Sequence, residues 1–237
     1  MPLPATTEPP VSPREEAVSR RVQTRWWIFS AVGAVGVVVL LGFVITARNG
    51  ANVLDEEFLG ELVEHRSPFW TVPSLIFNNI GAGIIGVFIV PLSVAALFLL
   101  RRRPWAALYW TLAIALSGAA VQIVKHLFGR ARPLDILVVS DYGSFPSGHT
   151  ANAATMAVVL GIVLRRAWVW VAGVVYTILM LLSRTYLGAH WLTDTIGGAL
   201  LGAGVAVILW APFANRLLKE PRDVWLWQRP SSGTSVA

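Results

Sequence analysis

Phe145-Pro146-Ser147-Gly148-His149 decides how the rest of this chain is read. Proline does not continue a helix, and serine is a favoured N-cap. The residues from Thr150 to Leu164 are nearly all apolar or small. A loop therefore ends at Pro146, and a buried helix begins near Ser147. A helix start carries unpaired N–H groups and a partial positive charge, which together attract anions. Gly148 lets the backbone approach a ligand closely. His149 exchanges a proton near neutral pH. A phosphate fits such a helix start.

Long apolar runs flank this stretch on both sides. The 237 residues are 55% hydrophobic and 14% charged, whereas a soluble domain carries about 25% charged residues. Mean hydropathy is +0.63. Runs of about 20 apolar residues are the signature of bilayer-spanning helices. The expected spans are 26–47, 80–100 with a kink at Pro91, 105–124, 147–164, 168–182 and 194–213. The fold class is thus all-α, an integral membrane protein with six transmembrane helices. The run 26–47 exceeds a signal-peptide core and lacks a clean small-x-small cleavage site. Gly198 and Gly202 form a GxxxG pair that permits close helix packing. Residues 1–24 read as a disordered tail, 25–215 as one membrane domain, and 216–237 as a polar, basic tail whose Trp225 and Trp227 touch the interface. Residues 55–66 read either as an amphipathic helix at the membrane surface or as a solvated connector. The chain has no cysteine, which removes disulfides and thiolate metal sites.

The formal net charge is +6. Nucleic acid is not the expected partner, because the arginines sit in short clusters between apolar runs. Arg14, Arg20, Arg21 and Arg25 precede the first span, Arg101-Arg102-Arg103 follow the second, Arg165-Arg166 follow the fourth, and Arg216, Lys219, Arg222 and Arg229 close the chain. With six spans all of these lie on one side, which the positive-inside rule makes cytoplasmic. Both termini are then expected in the cytoplasm, and the segments holding His149 and His190 on the outer face.

Three polar clusters stand at the outer ends of the last four spans. They are Lys125 with Arg132-Pro133, then Ser147-Gly148-His149, then Ser183-Arg184 with His190 and Asp194. Lys125 and Arg132 share a helix face if the helix continues that far, and Pro133 argues that it stops. His190 and Asp194 are neighbours on a helix, where a carboxylate fixes the imidazole tautomer. Each cluster alone reads equally well as a snorkelling cation, a cap or a structural hydrogen bond. Together, three cations, two histidines and one carboxylate at one membrane face point to an anion site. With no carboxylate cluster, neither a metal nor any other cofactor is expected. Arg130, Asp135 and Asp141 in the adjoining loop read as solvated charges, with head-group choice as the alternative.

Lys125-x6-Arg132-Pro133, Pro146-Ser147-Gly148-His149 and Ser183-Arg184-x5-His190-x3-Asp194 resemble the three-part signature of the type-2 phosphatidic acid phosphatase superfamily. Its fold relatives include vanadium haloperoxidases and soluble bacterial acid phosphatases. The resemblance implies a haloperoxidase-like bundle and a metal-independent lipid phosphatase working through a phosphohistidine. In it His190 is the nucleophile, Asp194 orients His190, and His149 is the general acid. Lys125, Arg132 and Arg184 bind the phosphoryl oxygens, with Ser147 and the Gly148 N–H adding hydrogen bonds. The partners implied are a lipid phosphate substrate and the surrounding membrane lipids. Polyprenyl pyrophosphate, phosphatidylglycerol phosphate and phosphatidic acid are the candidate substrates. A phosphotransferase uses the same residues with a different acceptor, and a non-catalytic transporter or partner retains the fold without the chemistry.

Overall fold

A computed structural model describes residues 13–48, 51–81 and 83–221, with backbone alone for 13–23 and 48. The described residues fold into helices α1 (Pro13–Arg48), α2 (Val53–Glu64), α3 (Pro68–Gly81), α4 (Val90–Leu100), α5 (Pro104–Phe128), α6 (Gly148–Leu164), α7 (Ala167–Tyr186) and α8 (Leu192–Lys219), with a π-helical turn at Ile85–Ile89 ahead of α4. Four of them are long and apolar enough to cross a membrane: Thr24–Ala47, Pro104–Phe128, Ala167–Tyr186 and Leu192–Lys219. A bent pair, Pro68–Gly81 with Ile85–Leu100, makes up to five. α6 is apolar but only 17 residues long. Large apolar side chains cover the outside, Trp26 and Phe29 both 69% exposed among them. Such a surface needs lipid around it. This is a multi-pass membrane protein.

The chain is already helical ahead of the second expected span, from Pro68, and Pro68–Gly81 meets Ile85–Leu100 at 48°. The break lies between Gly81 and Ile85, where Gly83 has a φ of 59°, and not at Pro91. The π-helical turn at Ile85–Ile89 follows the break and precedes Pro91, which has no N–H to return to it. Asn152 Nδ2 donates to one carbonyl there, Gly86 O, at 3.3 Å. Two boundaries also shift. α1 begins at Pro13, inside the stretch expected to be a disordered tail, and α8 runs on to Lys219. Residues 1–12 and 222–237, with Trp225 and Trp227, lie outside the described residues.

α5, α6, α7 and α8 run alternately up and down. α5 starts at the arginine-rich end, where Arg103 Nη2 donates to Val163 O at 3.2 Å and Arg103 pairs with Glu220 at 3.5 Å. It ends beside the polar loop that precedes α6. The core between them is Tyr109, Trp110, Ala113, Val159 and Ala206, all fully buried. The Tyr109 hydroxyl donates to Ala206 O at 2.8 Å, and Trp110 Nε1 to Pro91 O at 2.9 Å. Both polar ends are thereby satisfied inside an apolar bundle.

Candidate active site

The polar end of the bundle is assembled by one close helix contact. A Cβ on Gly202 would stand 2.1 Å from Ala151 O, and one on Gly198 2.4 Å from Ser147 O. The GxxxG pair thus lets α8 touch the main chain of α6. Ser147 N donates to Asp194 O at 2.9 Å across the same seam. Two of the three sequence clusters are locked together by backbone, with no side chain between them.

His190 sits in the turn before α8, 2% exposed. Its Nδ1 donates to the Ser144 carbonyl at 2.7 Å. A carbonyl only accepts, so the proton is on Nδ1 and the lone pair of the neutral ring is on Nε2. Arg132 Nη1 lies 3.3 Å from that Nε2. Burial, then the charges of Arg184, Arg132 and Lys125, hold His190 well below the usual imidazole pKa. The ring is neutral, with its nucleophilic nitrogen turned toward the cations.

Asp194 takes a different place from the one expected. It is the third residue of α8, while His190 precedes the helix, so the two are not neighbours on a helical turn. Asp194 Oδ2 is 3.7 Å from His190 Nδ1, beyond hydrogen-bond reach. That oxygen accepts from Trp191 N at 2.9 Å and closes the helix start. Oδ1 accepts from Arg130 Nη1 at 2.6 Å. Orientation of His190 falls to the Ser144 carbonyl, and Asp194 holds the turn that carries the ring.

Arg130 is not solvated either, being 7% exposed. Its other Nη2 donates to Asp55 Oδ2 at 2.6 Å. Asp55, on α2, is fully buried. Its carboxylate also accepts from Thr193 N at 2.9 Å and Thr193 Oγ1 at 2.7 Å. The face of α2 that carries Asp55 and Leu59 is therefore turned into the protein rather than the membrane surface. Arg66 braces the same region, donating to Tyr186 O at 3.0 Å and Asp135 O at 2.8 Å. Asp135 is itself exposed, as expected.

The loop from Gly129 to Pro146 brings the cations together. α5 stops at Gly129, whose φ of 53° is a left-handed conformation that glycine adopts without cost. Lys125 and Arg132 therefore do not share a helix face; the chain turns back and Arg132 arrives from the loop. Both meet Asp141, which is no bystander. Lys125 Nζ donates to Asp141 Oδ1 and Oδ2 at 2.9 Å each and to Gly143 O at 3.0 Å. Arg132 Nη2 donates to Asp141 Oδ1 at 2.7 Å and Gly143 O at 2.8 Å, Nε to Asp141 O at 3.1 Å, and Nη1 to Ala189 O. Partial burial pushes the Asp141 pKa up, but the hydrogen bond and charge of Lys125, followed by the charge of Arg132, more than offset it and hold it below the usual carboxylate value.

The remaining expected residues divide. His149 Nε2 donates to Asn78 O at 3.2 Å. Arg184, 2% exposed at the end of α7, donates from Nη1 to Asn78 Oδ1, while its Nε has no partner. Ser147 occupies the N-cap position but makes no side-chain cap bond. Its hydroxyl accepts from Thr150 Oγ1 at 3.2 Å. Lys125, Asp141, Gly148, His149, Arg184 and His190 line one cavity of about 470 Å³. Ser147, fully buried against α8, is not among its lining residues. No periodicity in the sequence points to Asn78 or to Ser144 O. Asp55 and Arg130 carried one signal, an ionisable pair near apolar helices.

Comparison with known proteins finds similar chains. A family model described as the PAP2 superfamily matches residues 106–217. The chain is 32% identical over 122 residues to the undecaprenyl-diphosphatase of Sulfolobus acidocaldarius, an alignment that covers 48% of this chain and 58% of that one. It is 30% identical over 183 residues to phosphatidylglycerophosphatase B of Bacillus subtilis, covering 70% of this chain and 88% of the relative. The crystal structure of the transmembrane PAP2-type phosphatidylglycerolphosphate phosphatase from Bacillus subtilis superposes with a TM-score of 0.64 at 26% identity, over 77% of this chain and 96% of the other.

Proposed function

The chain belongs to the PAP2 superfamily, and on that premise we propose that it is an integral-membrane phosphatase that removes phosphate from a lipid phosphate or diphosphate through a phosphohistidine. One observation carries the reading. Two buried cations, Lys125 and Arg184, and two histidines face a single cavity, Arg132 stands 3.3 Å from the Nε2 of His190, and Arg184 Nε is buried without an acceptor. A buried donor of that kind points to an anionic ligand. The candidate substrates are a polyprenyl diphosphate, phosphatidylglycerol phosphate and phosphatidic acid. The relatives named for undecaprenyl diphosphate and phosphatidylglycerophosphate support the first two.

The steps follow from the residues. The phosphoryl oxygens bind Lys125, Arg132 and Arg184, with the Gly148 N–H at the start of α6. His190 Nε2 attacks phosphorus as the bond to the leaving oxygen breaks. His149, as the imidazolium, gives that oxygen the proton on its Nδ1 while its Nε2–H stays on Asn78 O. Water then attacks the phosphohistidine, His149 takes back a proton, and inorganic phosphate leaves. Ser144 O and Asp194 act on His190 from outside the reaction, the first by fixing its tautomer and the second by holding its turn.

For the membrane we propose six spans: the four long helices, the bent α3–α4 pair and α6. At 1.5 Å per residue α6 is about 26 Å long, close to the roughly 30 Å hydrocarbon core. The arginine-rich end is cytoplasmic and the cavity faces outward. We retain one catalytic domain, 25–215, between two terminal tails.

The test is phosphate release by purified protein from a panel of lipid phosphates in detergent. Burst release of nitrophenolate from a nitrophenyl phosphate then separates the histidines. His190→Ala should abolish the burst. His149→Ala should keep it, because nitrophenolate leaves without a proton, and should lose about 10² to 10⁴ on a lipid monophosphate. A burst that survives loss of His190 sinks the phosphohistidine. Consumption of lipid phosphate without inorganic phosphate would instead indicate transfer to another acceptor.

A further inference from the structure

The donors of Lys125 and Arg132 are not waiting in solvent. Lys125 has three N–H groups, and three acceptor contacts are made, two to Asp141 and one to Gly143 O. Arg132 spends its forks on Asp141, Gly143 O and Ala189 O. A phosphoryl group must therefore replace one of these acceptors. The carbonyls are fixed by the main chain. Asp141 alone offers a side-chain acceptor, and it is 57% exposed where Lys125 is 3% and Arg132 13%. It also lines the cavity beside His149, Arg184 and His190.

Resting on the phosphatase reading, we propose that Asp141 is a specificity residue: its carboxylate takes the place of substrate oxygens on Lys125 and Arg132, so that doubly charged phosphoryl groups displace it and singly charged phosphodiesters do not. A phosphomonoester, or the terminal phosphate of a diphosphate, carries about −1.5 to −2 at pH 7. A phosphodiester carries one charge, as the carboxylate does. Exchanging Asp141 for a diester gains no Coulomb energy, and it sets a free ligand against a tethered one of high effective concentration. A dianion gains an additional charge beside two buried cations, where screening is weak. Membrane lipids are mainly phosphodiesters, so this substitution keeps the cavity closed to the surrounding lipid while leaving it open to substrate. The carboxylate acts by repulsion as much as by competition, which is how discrimination between similar ligands is commonly built.

The experiment uses the full chain in mixed micelles. Phosphatidylglycerol, a diester, is titrated as an inhibitor of lipid monophosphate hydrolysis, and inorganic phosphate binding is followed by calorimetry. In wild-type protein the diester should inhibit weakly. Asp141→Asn and Asp141→Ser remove the charge, and either should lower the diester inhibition constant on the order of tenfold, the value of one charged hydrogen bond at a half-exposed site. Phosphate should also bind more tightly. Asp141→Glu keeps a carboxylate and should exclude the diester as wild type does. Unchanged diester inhibition in a neutral variant that still hydrolyses lipid phosphate overturns the role of Asp141 and leaves the phosphatase reading standing. Wild-type protein that binds phosphate but releases none from any lipid phosphate overturns the phosphatase reading instead, while the calorimetric comparison still reads the carboxylate. Weaker phosphate binding in the neutral variants would make Asp141 a support for the site rather than a competitor, and would also overturn the proposal.

Discussion

Two ion clusters of this protein are built from the same chemistry and differ in exposure. Arg130 bridges Asp55 and Asp194, both fully buried, and its own side chain is 4% exposed. Lys125 and Arg132 share Asp141, which is half open to solvent. The closed cluster ties α2, the loop after α5 and the start of α8, and nothing in it faces the cavity. The open cluster ends at the cavity wall. Burial thus separates scaffold from site more sharply than residue type does. A charge pair with no route to solvent holds structure, and one whose anion can be exchanged is available for binding.

The largest effect expected from this contrast is in the closed cluster. Arg130→Ala leaves two buried carboxylates facing each other without a cation. Breaking one buried pair in this way commonly costs about 3–5 kcal/mol, because an uncompensated charge remains. The unfolding midpoint in detergent should fall steeply, and activity with it. The open cluster should respond the opposite way. Arg132→Ala should lower turnover by about 10² to 10³, the usual loss for a preorganised donor at a charged centre, with little change in the midpoint. Arg132→Lys should rescue poorly, because lysine lacks the planar fork that reaches Asp141, Gly143 and Ala189 together. If Arg130→Ala and Arg132→Ala lose stability equally, exposure does not separate the clusters as argued.

Asp55→Asn is a gentler probe of the closed cluster. The shape is kept, Arg130 retains Asp194, and one charged bond weakens. A loss of about 1–3 kcal/mol in stability is expected, with catalysis per folded molecule near wild type, since Asp55 lies on a helix that contributes nothing to the cavity wall. A variant of normal stability and poor turnover would move Asp55 from scaffold to site.

How much of this was legible beforehand depended on the range of the interaction. Apolar runs reveal helices because membrane burial is read residue by residue, and Lys125, Arg132, His149, Arg184 and His190 announced themselves by costly charge beside those runs. The seam between Gly198, Gly202 and α6 was legible for a similar reason, since small residues at a fixed spacing leave a visible gap. Asp194 stands 3.7 Å from His190, the neighbour its spacing implies, yet its hydrogen bonds go elsewhere. Spacing of four implies a shared helical turn, and the chain instead starts its helix after His190, so the carboxylate turns to Trp191 N and Arg130. Ser144 O and Asn78 O were not legible at all, because a carbonyl leaves no mark on the residue type that supplies it. Asp55 and Asp141 read as solvated charges, and only the fold shows that each meets a buried cation.

The smallest effect expected comes from one titrating group of the site. His190 is held well below its ordinary pKa by burial first and by Arg184, Arg132 and Lys125 next. In the unfolded chain it titrates near pH 6.5. As pH falls below that value the unfolded chain binds a proton that the folded protein refuses, so the unfolded state holds more protons and stability declines with falling pH. The slope from this one group is up to about 1.4 kcal/mol per pH unit. Asp141 does not confuse the window. Its folded pKa is depressed, so its contribution is present above the ordinary carboxylate value near 3.9 and is lost only as pH falls below it. His190→Gln keeps a donor for the Ser144 carbonyl and removes the titration. Between pH 6.5 and 4.5 the wild-type unfolding midpoint should therefore drop more than that of His190→Gln, although the variant is inactive. Parallel midpoints across that range would mean that the imidazole takes up its proton in the folded protein as readily as in water, and that the three cations do not reach it as the geometry implies.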